Sequence, residues 1–336
     1  MEVIIDVFFD HFFSRLDRGC LIARYKRRQL VDYFSTVIEG CCKADKNCDA
    51  QNGCRQAVES ALRFHENTRE GNSQVCLLGK YHNVLYVAAK LAYDWKLVDN
   101  DTVAKLLDDI FKCENTFERL FVGAIFGTRV THLISGWKSD FQNREENYQA
   151  LRYFIEHATK ADLWYEVDGA RRRFVDVPME SYGNVSPLRV AVQACQLDVV
   201  LLLLQYGAII TFDPEDPHTC ALQPLLHRVN DFCYKHPDQE IPQPFVSCLN
   251  ALLREMPSLP PLVTDPFDLQ TESSEVHPNI LAVVAPDKVG LRAQDLKDVC
   301  RCAVRQCLRL DGQLPLGIDR LILPNILKKY LDFIEQ

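Results

Sequence analysis

The chain lacks most of the features that announce an activity. No apolar run reaches the ~18 residues that a membrane span requires. The apolar start (Val3, Ile4, Ile5, Val7, Phe8, Phe9, Phe12 and Phe13) is interrupted by Glu2, Asp6 and Asp10. With no basic segment before it, it does not read as an export signal. Ile5, Phe8, Phe9, Phe12 and Leu16 fall instead on one helical stripe over residues 2–17. A basic excess is also missing. The net charge is -8, whereas a general nucleic-acid binder needs a positive footprint to displace phosphate counterions. The two short basic runs, residues 24–28 and 171–173, read as solvated faces or loop charges.

Catalytic signatures are missing as well. The stretch from Gly71 to Gly79-Lys80 has the wrong spacing for a phosphate loop, and Tyr81 stands where Ser or Thr must bind magnesium. His65-Glu66 does not continue to a second zinc-protease histidine, because position 69 is Arg. No G-x-S-x-G elbow occurs. The nine histidines are scattered and read as surface or capping groups. None of the cysteines in the densest cluster, Cys41, Cys42, Cys48 and Cys54, shows the paired C-x2-4-C spacing of a zinc site, so clustering alone is weak evidence for zinc or a disulfide. Asp45, Asn47 and Asp49 alternate as in a calcium loop, but Ala50 and Gln56 replace the Gly and Glu that such a loop requires. These absences predict a chain with no catalytic residues, no cofactor and no metal. Cys76, Cys195, Cys248, Cys300 and Cys307 lie in apolar patterns, where a free thiol behaves as a small hydrophobe. With no sign of secretion, the 14 cysteines predict reduced thiols in the cytosol or nucleus.

What is present is helix. The 336 residues are 47% hydrophobic and 25% charged, enough for one large or two ordinary globular domains. Periodicity predicts helices over roughly 25–41, 54–66, 83–95, 101–113, 116–126, 144–159, 187–195, 198–206, 222–235, 244–255, 291–309 and 324–334, besides the first. Asp101 reads as the N-cap of its helix. Strand-like alternation is confined to 164–177, where Asp168-Gly169 can turn a hairpin. Paired helices with short links call for a search for repeats.

One segment answers that search. Gly183-Asn184-Val185-Ser186-Pro187-Leu188-Arg189-Val190-Ala191 precedes Leu197-Asp198-Val199-Val200-Leu201-Leu202-Leu203-Leu204-Gln205-Tyr206-Gly207-Ala208. Ser186 can cap the first helix, with Pro187 at N1, where its missing N–H costs nothing. Leu201 to Leu204 make the second helix apolar on nearly every side, so it must be buried between neighbours. Gly207 can supply the left-handed residue that stops it. The segment resembles an ankyrin repeat, whose helix opens on T-P-L-H-x-A. Ser186 and Arg189 replace the family's Thr and His, and Cys195-Gln196 stands where Gly-His is usual. Weaker echoes follow at Pro224-Leu225-Leu226-His227 and over 245–253, and precede it over 148–158. Residues 1–140 carry no such opening, and an irregular helical domain and degenerate repeats fit them equally.

Near the C-terminus, Leu296, Val299, Cys300, Ala303, Val304 and Cys307 share one helix face. That pattern alone describes an ordinary core helix. It is followed, however, by a Gly-Gln-Leu-Pro-Leu-Gly turn at 312–317 and by Leu321-Ile322-Leu323-Pro324, Leu327 and Tyr330-Leu331. This order resembles the SOCS box, and with the repeat upstream the chain resembles the ankyrin-repeat and SOCS-box family, closest to divergent members with few recognisable repeats. The resemblance implies an all-α fold: a degenerate helical region over 1–140, repeats over 141–257 (clearest at 183–212), a linker over 258–290, and a three-helix box over 291–336. It implies that Leu296, Val299, Cys300, Ala303 and Val304 bind elongin C, paired with elongin B. It further implies that Leu321, Ile322, Leu323, Pro324 and Leu327 bind a cullin, most often cullin-5 with its RING partner, while the repeats hold a protein client for ubiquitination. Asp295 departs from the small residue usual before the Leu, and Ile322 from the usual Pro. The competing expectation is an ankyrin-type scaffold whose last helices only cap the stack. Exposure or burial of the Leu296 face separates the two.

Overall fold

The computed structural model describes residues 7, 11, 24–44, 49–76, 82–135, 139–210, 221–259 and 278–333. All of the expected helix over 2–17 except residues 7 and 11, Cys48, the candidate calcium ligands Asp45 and Asn47, and 260–277 of the expected linker lie outside the described residues. The fold is all-α, with fourteen helices and one two-stranded ribbon among the described residues. None of those helices is long and apolar enough to cross a membrane. Two compact units divide after Arg171, so the border expected at 140 falls inside the first.

The first unit holds α1 (Arg24–Ala44), α2 (Ala50–Glu70), α3 (Val84–Asp94), α4 (Asn100–Glu114), α5 (Glu118–Ser135) and α6 (Arg144–Lys160). Helix α1 packs on α3, α2 on α4, and α4 on α6, so successive helix pairs stack like on like. Helix α3 is buried from Val84 to Tyr93, including Lys90, whose ammonium pairs with Asp94 and with Glu146 at 3.2 Å. A buried ammonium persists only when so paired. Asp99, not Asp101, caps α4, accepting from the Thr102 N–H at 3.1 Å, and Asp101 lies in the first turn. Gly127 breaks α5 with φ 74° and ψ 172°. Cys41 and Cys42 are half-buried on α1. Cys54 faces the Leu91 carbonyl at 3.8 Å, and burial pushes its thiol up to about 12. Such a thiol is inert.

The hairpin appears where the alternation placed it: β1 (Trp164–Val167) and β2 (Ala170–Arg173). Asp168 and Gly169 take left-handed φ of 52° and 77°, as a two-residue turn of this kind requires.

The second unit holds α7 (Pro187–Gln193), α8 (Leu197–Gln205), α9 (Leu222–Lys235), α10 (Gln243–Leu253), α11 (Pro278–Val283), α12 (Leu296–Leu310), α13 (Leu316–Arg320) and α14 (Asn325–Leu331). Ser186 accepts from the Arg189 N–H at 3.3 Å, with Pro187 in the first turn. Here also α7 packs on α9 and α8 on α10. The expected linker is not wholly irregular: it contains α11, which buries Ile280.

Five of the described helices stop in the same way. Lys96, Asp162, Cys195, Gly207 and Gly312 take left-handed φ of 48°, 50°, 53°, 74° and 66°. Each donates its N–H to the carbonyl three residues back, and the next N–H reaches five residues back, all at 2.7–3.1 Å. This reciprocal pair satisfies carbonyls that a helix end leaves orphaned. The Cys195 turn therefore forms without the usual Gly.

Candidate functional site

Helix α12 is amphipathic in the opposite sense to a core helix. Asp295 accepts from the Lys297 N–H at 3.0 Å and fixes the start, which gives this residue a capping role. Leu296 and Leu310 are each 74% exposed, and Cys300, Ala303 and Cys307 face solvent between them. Val299 and Val304 are half-buried. The fully buried positions are Arg301, Cys302 and Arg305.

The buried arginines are held by helix ends. Arg305, 0% exposed, donates to the Leu331 carbonyl at 2.5 Å and the Leu204 carbonyl at 2.6 Å, and its Nε pairs with Glu255. Arg301 donates twice to the Arg254 carbonyl, at 3.2 and 3.1 Å. These acceptors lie at the C-termini of α8, α10 and α14, where carbonyls have lone pairs to spare and the macrodipole is negative. A planar guanidinium carries enough donors to serve several at once. The ring of Phe333 lies against both Arg254 and Arg305, with centroid distances of 4.5 and 4.3 Å.

The three terminal helices share a small core of Leu314, Ile318 and Leu331, against which Val304, Leu308 and Leu321 pack. A Cβ on Gly207 would come within 2.9 Å of Leu314 Cδ1, so this glycine provides both a left-handed stop and room for the box. Tyr330 packs against Lys297 and Arg301, 4.0 and 4.6 Å from its ring centre, and its hydroxyl donates to Asp298. Burial first, and then Asp298, push this phenol up to about 12. Burial alone would raise the Asp298 carboxyl, but the Tyr330 hydroxyl, Arg301 and Lys288 hold it below its ordinary value.

The expected elongin residues are therefore divided: Leu296, Cys300 and Ala303 lie outward, Val299 is half-covered, and Val304 leans on the small core. Of the expected cullin residues, Ile322 is fully exposed, Leu323 and Leu327 are each 37% exposed, Pro324 is exposed, and Leu321 packs inward. The Leu323 N–H donates to the Leu321 carbonyl at 2.9 Å, a tight turn centred on Ile322. Sequence reasoning missed Arg301 and Arg305, since charges opposite an apolar stripe read as a solvated face. It also placed Cys76 in a helix and the histidines on the surface. Cys76 lies beyond the end of α2, and His65, His82 and His157 are buried.

Residues 294–332 match the family model of the SOCS box. No curated protein and no solved structure matches the chain. The matched segment spans α12 to α14, so the C-terminal part of the chain is a SOCS box of three helices.

Proposed function

We propose that this chain is the non-catalytic substrate-recognition subunit of an elongin B/C–cullin-5 RING ubiquitin ligase, acting in the cytosol or nucleus. SOCS boxes dock elongin B/C and cullin assemblies, and the stacked helix pairs of the body, read as ankyrin-type repeats, hold a protein client. One observation carries the reading: α12 turns Leu296, Cys300 and Ala303 outward while burying Arg301 and Arg305. A tail serving only to cap a repeat stack would turn its apolar stripe inward and its charges outward. An exposed leucine on a helix anchored from behind can enter a partner's pocket with little ordering cost.

Two contacts follow. Elongin C takes Leu296, Val299, Cys300, Ala303 and Val304. The cullin takes Leu321, Ile322, Leu323, Pro324 and Leu327, in which the exposed side of the Ile322 turn is the prominent feature. Among the described residues, Ile322 is not one of those with positive φ. The turn around it is thus of the inverse kind, in which the central φ is typically about -75°, close to what a proline ring fixes. Leu321 precedes it with ψ 141°, as a residue before proline prefers. Ile322→Pro should therefore preorganise the turn and strengthen cullin-5 binding by about 0.4–1 kcal/mol.

The test is co-expression of the full chain with elongins B and C, followed by competition between cullin-5 and cullin-2 for the purified assembly. The expected result is higher soluble yield, a higher melting temperature by mass action, and preference for cullin-5. Equal yield and melting temperature without elongins would favour the scaffold reading, and preference for cullin-2 would overturn the cullin assignment alone.

A further inference from the structure

A second chemical centre lies in the first unit. His65 of α2, Cys76 beyond its end, His82 ahead of α3 and Cys113 near the end of α4 converge on one point. Their four ligand-capable atoms all lie within 4.8 Å of one another. His65 Nε2 is 3.3 Å from Cys76 Sγ and 3.4 Å from Cys113 Sγ, and Cys76 Sγ is 3.6 Å from His82 Nδ1. Around a tetrahedral zinc with ordinary Zn–S and Zn–N bonds, nitrogen and sulfur ligands sit about 3.5 Å apart. The observed separations already have the spacing of a coordination shell.

The protonation pattern points the same way. The other ring nitrogen of His82, Nε2, pairs with the Glu114 carboxylate, an arrangement that favours the proton on Nε2 and turns Nδ1 toward the cluster. Glu114 is itself fixed by the Tyr86 hydroxyl at 2.8 Å and by Arg119 at 3.2 Å. A carboxylate behind a histidine, orienting its free nitrogen, is the usual support of a metal ligand. Both imidazoles are buried, at 1% and 0% exposure, where a histidine on a solvated face would not be.

We infer that His65, Cys76, His82 and Cys113 bind one zinc ion as a closed structural site that ties α2, α3 and α4 together. The chemistry of the ligands selects the ion. Two imidazoles and two thiols suit zinc, and four protein ligands leave no open position for a substrate. On binding, each thiol gives its proton to solvent, so one zinc ion enters and two protons leave. The two thiolates cancel the ion's two charges, and the site carries no net charge into the interior. The spacing H-x10-C-x5-H-x30-C has no paired short interval, which hides the site from motif reading.

The experiment uses the full chain, purified without a polyhistidine tag or chelator and analysed by elemental mass spectrometry. One zinc per chain is expected. Cys113→Ser should lose it, and Cys42→Ser, a cysteine outside the cluster, should keep it. Cobalt exchanged into the wild-type protein should give a tetrahedral visible spectrum with a sulfur-to-cobalt charge-transfer band, which keeps the test decisive should the Cys113 variant not fold. Zinc at buffer background after reconstitution, full zinc in the Cys113 variant, or a Cys76–Cys113 disulfide found by peptide mapping would each overturn the assignment.

Discussion

Helices α8 and α12 belong to one unit, and each carries an apolar stripe, yet they are turned opposite ways. Helix α8 buries Val199, Val200, Leu202, Leu203 and Leu204. Helix α12 exposes Leu296 and Leu310 and buries Arg301 and Arg305. Burying leucine gains from the hydrophobic effect, whereas burying arginine costs unless every donor finds an acceptor. Carbonyls at the ends of α8, α10 and α14 supply acceptors, so the arginine side becomes the inner one and the leucine side remains free. An apolar stripe therefore marks a surface that is covered by something, and only the opposite face reveals whether the cover belongs to the same chain.

The comparison can be broken most severely at Arg305. Arg305→Ala removes the nearest cation from buried Glu255, leaving Arg309 at 3.8 Å, and takes a donor from the Leu204 and Leu331 carbonyls, and should cost about 3–5 kcal/mol of stability in urea unfolding. A loss no larger than that of a surface substitution would mean that the guanidinium does not hold the box. Leu203→Ala, a truncation in the buried stripe, should cost about 2–5 kcal/mol, by the same measurement. Leu296→Ala is its counterpart on the free stripe. It should change folding stability by no more than about 0.5 kcal/mol, but weaken elongin binding by about 2 kcal/mol, roughly thirty-fold in calorimetry. Similar stability losses for Leu203→Ala and Leu296→Ala would erase the distinction between the two helices.

A gentler probe uses pH. The Asp298 carboxyl is held below its ordinary value, so its contribution is present above the unfolded-state value of about 3.9 and fades as pH falls through the lower folded one. The destabilisation caused by Asp298→Asn should accordingly shrink below about pH 4. A gap that stayed constant into acid would detach Asp298 from this linkage. The smallest effect is expected at the α7–α8 turn. Cys195 holds a left-handed φ of 53° that disfavours a side chain, so Cys195→Gly should raise stability by about 0.5 kcal/mol once glycine's own entropy cost is set against the relieved strain. A destabilised variant would show that the thiol contributes packing worth more than the strain.

These positions also show what the sequence could and could not convey. Helix α9 was legible to its ends, Ser186-Pro187 announced α7, and Asp168-Gly169 announced the hairpin, because each signal is local. Among the left-handed stops, a glycine made Gly207 legible, whereas Lys96, Asp162 and Cys195 adopt the same conformation without glycine, so no residue type marked those turns. In the box, the order of Leu296, Cys300 and the Leu323-Pro324 segment was readable, but the inward turn of Arg305 was not. Its acceptor on Leu204 lies far away in the chain, and no periodicity encodes it. The His65 cluster was hidden for the same reason, its members coming from three helices and their flanks.

The Arg305 guanidinium has a mechanical consequence. One planar group joins the Leu204 carbonyl of α8, the Glu255 carboxylate just past α10 and the Leu331 carbonyl of α14. A rotation of α12 against α8 cannot stretch one of these bonds gradually while sparing the others, because the fork is rigid. The joint is therefore a clamp with two settings, closed or broken, rather than a hinge. A ligase seated on α12 would move as one body with the helix pair that α8 belongs to. The choice of client lysine would then be a matter of reach: side chains that project into the arc swept by the cullin arm would be modified, and those outside it spared.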